Sequence, residues 1–186
     1  MHHHLFALAT ILFSSAVALA GAEDPAPEPT MKLVAPRDAK LATVVLACPD
    51  HTKQVRMDDA TYCVKVPIAR GGTPIKHGPC VRFHAGGAMA SQGSYVDDRR
   101  EGVWAAWDEQ GHRASLVTYA AGEYDGLYVT WWATGARQSE IMWKAGKKHG
   151  TAKSWGDDGK LLVITRYEQD RAVQKTVYGP DGKPRP

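Results

Sequence analysis

The sequence predicts an all-β fold of stacked antiparallel β-hairpins, drawn out into an elongated twisted sheet with a small disulfide-pinned cap at its N-terminal end. Three observations carry this expectation. Aromatic residues recur every 24 positions, as Phe83, Trp107, Trp131 and Trp155, and in a second row as Tyr95, Tyr119, Trp143 and Tyr167. Glycines keep the same period in two more rows, Gly78, Gly102, Gly126 and Gly150, then Gly87, Gly111, Gly135 and Gly159. Self-similarity at one fixed period marks a repeat array. The runs between the glycines, such as 115–119 and 127–132, are rich in Val, Thr, Tyr and Trp, residues that suit strands. Two strands of about six residues and two turns fill a unit of 24 residues, and a helix of ordinary length does not fit.

Residues 1–22 read as a signal peptide. Leu5 to Leu19 is an uncharged apolar run, and Ala18-Leu19-Ala20 or Ala20-Gly21-Ala22 supplies a cleavage site. The run is short for a membrane span. Its n-region carries His2, His3 and His4 instead of Lys or Arg. Residues 23–40 include Glu-Asp-Pro-Ala-Pro-Glu-Pro, which cannot bury apolar surface and reads as a disordered linker. Residues 41–77 are not repetitive. They hold an apolar run, Leu41 to Ala47, and an alternating stretch around Tyr62 to Val66; both read as short strands of a cap over the first edge of the array. Export implies an oxidising compartment, so one disulfide and one leftover thiol are expected from Cys48, Cys63 and Cys80. Cys48–Cys63 is the favoured pair. Cys63–Cys80, opposed across a hairpin turning at Gly71-Gly72, stays open as the rival.

The array occupies residues 78–186. Its first turn falls at residues such as Asp108 to Gly111, its second at Asp97-Asp98, Ala121-Gly122, Ala145-Gly146 and Gln169-Asp170. Gly and Asp belong there because tight turns need positive φ. One hairpin alone is marginal in water. Lateral stacking lets each aromatic rest on its equivalent in the next unit. The last unit is degenerate: Tyr178 and Gly182 repeat the Trp155–Gly159 spacing one residue short of register.

The run Gly-Val-Trp-Ala-Ala-Trp-Asp-Glu-Gln-Gly from Gly102, with Tyr119 and Gly122 after it, resembles a MORN repeat. It is similar in particular to the bacterial MORN-variant form, found in proteins often labelled as YwqK-family antitoxins. Cys80 and Ala152 depart from the pattern at an aromatic position, Asp98 and Asp170 at the turn glycine. The Cys48-Pro49 start with Cys63 downstream looks like the cap of secreted relatives. The resemblance implies a hairpin per unit and a scaffolding or binding role rather than catalysis.

The function classes narrow accordingly. A net charge of +3, evenly scattered, argues against nucleic acid and gives little support to a membrane surface. No cofactor motif, metal-ligand spacing or nucleophile elbow stands out. Cys80 and His84 would lie about 13 Å apart on a strand at ~3.3 Å per residue, too far for a dyad. His77, Glu101, Asp125 and His149 share one repeat position and read first as a polar row beside a glycine; a hydrolase using Glu101 and Asp125 is the weakest reading. The aromatics are the better lead. Trp104 and Trp107 must face opposite sides of a strand, as must Trp131 and Trp132. The second face is then either covered by the cap or by a partner, or it exposes a strip of Trp104, Tyr128 and Trp132, a candidate binding surface. The expected protein is a secreted or periplasmic, non-enzymatic interaction module that docks another protein, with cell-wall glycan as the alternative ligand.

Overall fold

A computed structural model of the chain describes residues 27–28, 40–66 and 71–185. The expected signal peptide lies outside the described residues, and of the expected linker only Pro27, Glu28 and Lys40 lie within them.

Every regular element among the described residues is a strand. β1 (Thr52–Arg56) and β2 (Ala60–Lys65) precede the repeats. β3 (Lys76–Phe83) and β4 (Met89–Val96) form the first unit. β5 (Arg99–Trp107) and β6 (Arg113–Ala120) form the second, β7 (Glu123–Trp131) and β8 (Arg137–Lys144) the third, β9 (Lys147–Trp155) and β10 (Leu161–Glu168) the fourth. β11 (Arg171–Tyr178) and the two-residue β12 (Pro184–Arg185) close the chain. The twelve strands make one open antiparallel sheet whose spatial order is the sequence order. Neighbours in sequence are neighbours in space throughout, so each strand is ordered by contacts that cost little loop-closure entropy.

Two loop types alternate. The two-residue turns have positive φ at both central residues: 49° and 65° at Asp97 and Asp98, 50° and 92° at Ala121 and Gly122. This is the type I′ geometry whose twist matches the flanking strands. The five-residue loops, such as Asp108 to His112, are closed by a backbone bond from Asp108 N to His112 O and carry positive φ at their glycine.

The 24-residue period has a specific cause. Where one unit pairs with the next, three residues of the odd strand oppose one residue of the even strand. Val117 pairs with Tyr128 and Tyr119 with Tyr124, so Thr118 faces the three residues Asp125, Gly126 and Leu127. The same count recurs at β8–β9, where Met142 faces His149, Gly150 and Thr151. The glycine of each bulge has positive φ, 110° at Gly126 and 92° at Gly150. A Cβ on Gly126 would also stand 3.1 Å from Thr118. The last unit shows what happens without the glycine. Gln174 holds that position, and β11 bulges by one residue only, with Tyr167 paired to Ala172 and Arg166 to Gln174. The missing residue is the reason Tyr178 arrives one place early.

The sheet is apolar on both faces. Rows along the sheet run straight across the strands, and alternate rows face alternate sides. On one face lie Val81, Phe83, Met89, Ala105, Trp107, Leu116, Leu127 and Val129, together with Val44 and Leu46 from the N-terminal segment. We call this the covered face. On the other lie Tyr62, Val64, Cys80, Trp104, Val117 and Tyr119, flanked by Tyr95, Tyr124 and Tyr128. That cluster draws its members from the sheet strands alone among the described residues, and we call it the open face.

Two expectations need correction, and the favoured disulfide holds. The run Leu41 to Ala47 is not a strand: a turn at Leu41 to Thr43 leads into irregular backbone. Its polar groups are met by a side chain instead, since Gln54 accepts from Leu46 N (2.8 Å) and donates to Val44 O (3.0 Å), as a neighbouring peptide unit would. Val44 and Leu46 therefore cover a face, while the β1–β2 hairpin extends the edge of the array through β3. The disulfide is Cys48–Cys63, with Cα atoms 5.6 Å apart. The rival pair fails on alternation: Tyr62, not Cys63, stands opposite Cys80, and the two cysteines face opposite sides of the sheet. Finally, the rings of the covered face do not rest on one another. Equivalent residues lie two strands apart, ~9.6 Å, and Arg113 and Arg137 stand between Trp107, Trp131 and Trp155 by register.

Gly126→Ala is expected to cost about 1–3 kcal/mol through its positive φ, seen as a lower urea midpoint. Gln174→Gly, where no wide bulge exists, should move the midpoint far less. Equal shifts for the two variants would contradict the role given to the bulge.

Candidate binding surface

The open face is built from two adjacent rows. In the first, the bulged register places the residue two before each bulge glycine beside the preceding unit's aromatic: Tyr95 pairs with Arg100, Tyr119 with Tyr124, Trp143 with Lys148. Cations and rings therefore alternate along the sheet. Lys76 Nζ lies 5.4 Å from the Tyr62 ring and 5.3 Å from Tyr95. The Arg100 guanidinium lies 4.7 Å from Trp104 and 5.3 Å from Tyr119, and it donates to Tyr119 Oη at 2.8 Å. Lys148 Nζ lies 5.9 Å from Trp143 and 5.3 Å from Tyr167. Each cation covers ring faces that would otherwise be wet, an attraction of ~0.5–2 kcal/mol depending on desolvation.

Tyr124 takes the cation's place in the third unit. The row is continuous rings there: Tyr119–Tyr124 at 5.1 Å, Tyr124–Tyr128 at 5.6 Å and Tyr124–Trp143 at 4.9 Å. Beside it is a groove of about 560 Å³ whose lining includes Arg100, Trp104, Tyr119, Tyr124 and Tyr128, with Ser91, Ser115 and Asp59 among its polar residues.

The three residues expected in an exposed strip divide. Trp104 is buried, with 4% of its surface exposed. Its indole lies against Gly93, where a Cβ would come within 2.2 Å of the ring, and its Nε1 donates to Ser94 O at 3.1 Å. It packs edge-on against Tyr95 at 5.0 Å. Trp104 is thus a structural wall of the groove. Tyr128 lies in the groove, half-buried. Trp132 does not line it. It opens the five-residue loop after β7, and its Nε1 donates to Trp155 O at 3.2 Å, as His84 at the same repeat position bonds to Trp107 O at 2.9 Å. Its strand-end position makes it a latch between units. Sequence reasoning missed Tyr124 and Arg100; their signal was a cation-or-tyrosine row at Lys76, Arg100, Tyr124 and Lys148 with the array period.

The carboxylates weighed for hydrolysis are turn ligands. Glu101 Oε2 accepts from Ala121 N at 2.8 Å, and Asp125 Oδ2 from Ala145 N at 3.3 Å. Each ties its unit to the next unit's turn, and His77 makes the corresponding contact with Asp97 at 3.0 Å. Asp98 and Asp170, which stand where other units have the turn glycine, add a bond of their own. Asp98 Oδ1 accepts from Lys76 N and Asp170 Oδ1 from Lys148 N, both at 2.9 Å, and this local bonding suits Asp to positive φ. Among the described residues no group of three or more His, Cys, Asp and Glu is arranged to hold a metal ion.

Residues 148–169 match the family model of the MORN repeat variant. That stretch is β9 with β10 and their turns, and it shares its register with the three units before it. Repeats of this kind are in general non-catalytic binding modules. No curated protein matches the chain.

Cys80 is buried behind this face, and burial pushes its thiol up to about 11, against the pull of Lys76, Arg82 and Arg100. At pH 8 only about one molecule in a thousand carries the thiolate. Alkylation by iodoacetamide should be at least ~50-fold slower in the folded protein than in urea; similar rates in both would contradict the burial of this site.

Proposed function

We propose that the protein is an exported, non-catalytic repeat module that holds a protein partner in the open-face groove. One observation carries the reading: the chain's own Val44 and Leu46 pack into the apolar cluster of the covered face, while the equally aromatic opposite face carries a groove of about 560 Å³ and no such segment among the described residues. An aromatic groove with Arg100, Ser91 and Ser115 among its lining residues fits the general anatomy of a protein-binding surface, in which tyrosine, tryptophan and arginine dominate. A peptide suits it better than a glycan. Sugar rings need open aromatic faces to stack on, and in the groove the Arg100 guanidinium lies over Trp104 and Tyr119 while Trp104 meets Tyr119 edge-on at 78°. Export is supported by the apolar run Leu5 to Leu19 and is consistent with the Cys48–Cys63 disulfide.

The test replaces half-buried rings and spares the structural Trp104. A Tyr124→Ala/Tyr128→Ala variant that keeps its far-ultraviolet spectrum should lose, by tenfold or more, the protein that wild type captures from an envelope extract. A folded double variant that captures the same protein undiminished would reject the groove as the site. Sedimentation of wild type with purified peptidoglycan, lost in the double variant, would replace the protein ligand by a glycan.

A further inference from the structure

The covered face holds a second set of side chains that the module reading leaves unused. Its outer row alternates rings and other side chains by direct register: Phe83 with Met89, Trp107 with Arg113, Trp131 with Arg137, Trp155 with Leu161. The position is Met in the first unit and Leu in the fourth. The two middle units alone place arginines there, one period apart, on either side of the strand that carries Trp131.

Those arginines are engaged by a residue far away in the chain. Glu28 Oε2 accepts from Arg113 Nη1 at 2.6 Å, and Glu28 Oε1 accepts from Arg137 Nη2 at 3.2 Å. The Arg113 guanidinium lies 5.0 Å from the Trp131 ring. Arg137 Nη1 also donates to Glu140 Oε1 at 2.7 Å, and the Glu140 side chain is only 4% exposed. We propose that Arg113, Trp131 and Arg137 form a binding site for the carboxylate of an extended acidic segment, which this chain fills in cis with Glu28.

The geometry separates this site from an incidental surface ion pair, which contributes little. The two carboxylate oxygens are divided between two guanidinia. One guanidinium is steadied by an indole, the other by a buried carboxylate, so less side-chain freedom is lost on binding. Glu28 lies in the run Glu-Asp-Pro-Ala-Pro-Glu-Pro, whose prolines favour an extended backbone at low entropic cost. Tethering raises the occupant's effective concentration to roughly millimolar. An acidic segment of another protein must therefore displace Glu28 before it can use the site. The site lies on the opposite side of the sheet from the groove and stands or falls independently of it.

The test uses the full chain as wild type and as Glu28→Gln, a change that removes the charge and preserves the shape. Side-chain NMR signals of Arg113, Arg137 and the Trp131 indole N–H are followed. Glu28→Gln should shift all three. A peptide with the sequence Pro-Ala-Pro-Glu-Pro-Thr, added at millimolar concentration, should return them toward their wild-type positions. The same peptide with Gln in place of Glu should have no effect, and wild type should respond at least tenfold more weakly. Unshifted signals in Glu28→Gln, or equal responses to the Glu and Gln peptides, would overturn the proposal.

Discussion

The wide bulge between units is the constraint on which the rest of the structure depends. A flat ladder would pair strands residue for residue and allow any strand length. Here three residues oppose one at the β6–β7 and β8–β9 boundaries, and the central residue, Gly126 or Gly150, has positive φ. Only glycine does so without strain. The bulge thus fixes the length of the unit, and it sets the side each following residue faces, because one residue of slip would exchange the two faces. Trp104 and Trp107 reach different environments because they stand an odd number of residues apart on β5. Gln174 demonstrates the dependence within the same molecule: without glycine the bulge narrows and the repeat loses one residue.

The lateral joins hold through polar bonds as much as through rings. Each two-residue turn sends the N–H of its second residue back to the preceding unit, from Asp98 to Lys76 O, Gly122 to Arg100 O, Gly146 to Tyr124 O and Asp170 to Lys148 O, all at 2.9 Å. Glu101 and Asp125 take the N–H of the first turn residue in the two middle joins. The turns of a hairpin array would otherwise present unpaired donors at one border of the sheet. Satisfying them fixes the spacing of units, and that spacing in turn sets the cation–ring alternation on the open face and the arginine pair on the covered one. Both candidate surfaces are consequences of period and register rather than of loops grafted onto a scaffold.

The frame of this fold was legible in the sequence because its cause, a glycine with positive φ, can be filled by almost nothing else. Four rows at one period gave the strands, both turns and the short final unit. The site was less legible. Trp104 read as a surface ring because it faces away from Trp107, and the residue that makes room for it is a glycine, Gly93, standing where other units have Val117, Ile141 and Thr165. That exchange of bulk between facing positions was visible but could be assigned only once the register was known. Glu101 and Asp125 suggested chemistry because a paired carboxylate looks alike whether it binds a proton or a turn amide. The N-terminal run Leu41 to Ala47 read as a strand because it is an apolar run; what it lacks is a backbone partner, and Gln54 supplies one from a side chain, which no periodicity reveals.

Amide hydrogen exchange at Asp98, Gly122, Gly146 and Asp170 tests the account most directly. In a lone two-residue hairpin the N–H of the second turn residue faces water. Stacking by the preceding unit buries that donor in a backbone bond. All four amides should exchange at least ~100-fold more slowly than the unstructured chain, and comparably to one another, as members of one cooperative unit. Exchange at unstructured rates at these four positions, in a protein whose strands remain protected, would contradict lateral joining of the units and everything built on it.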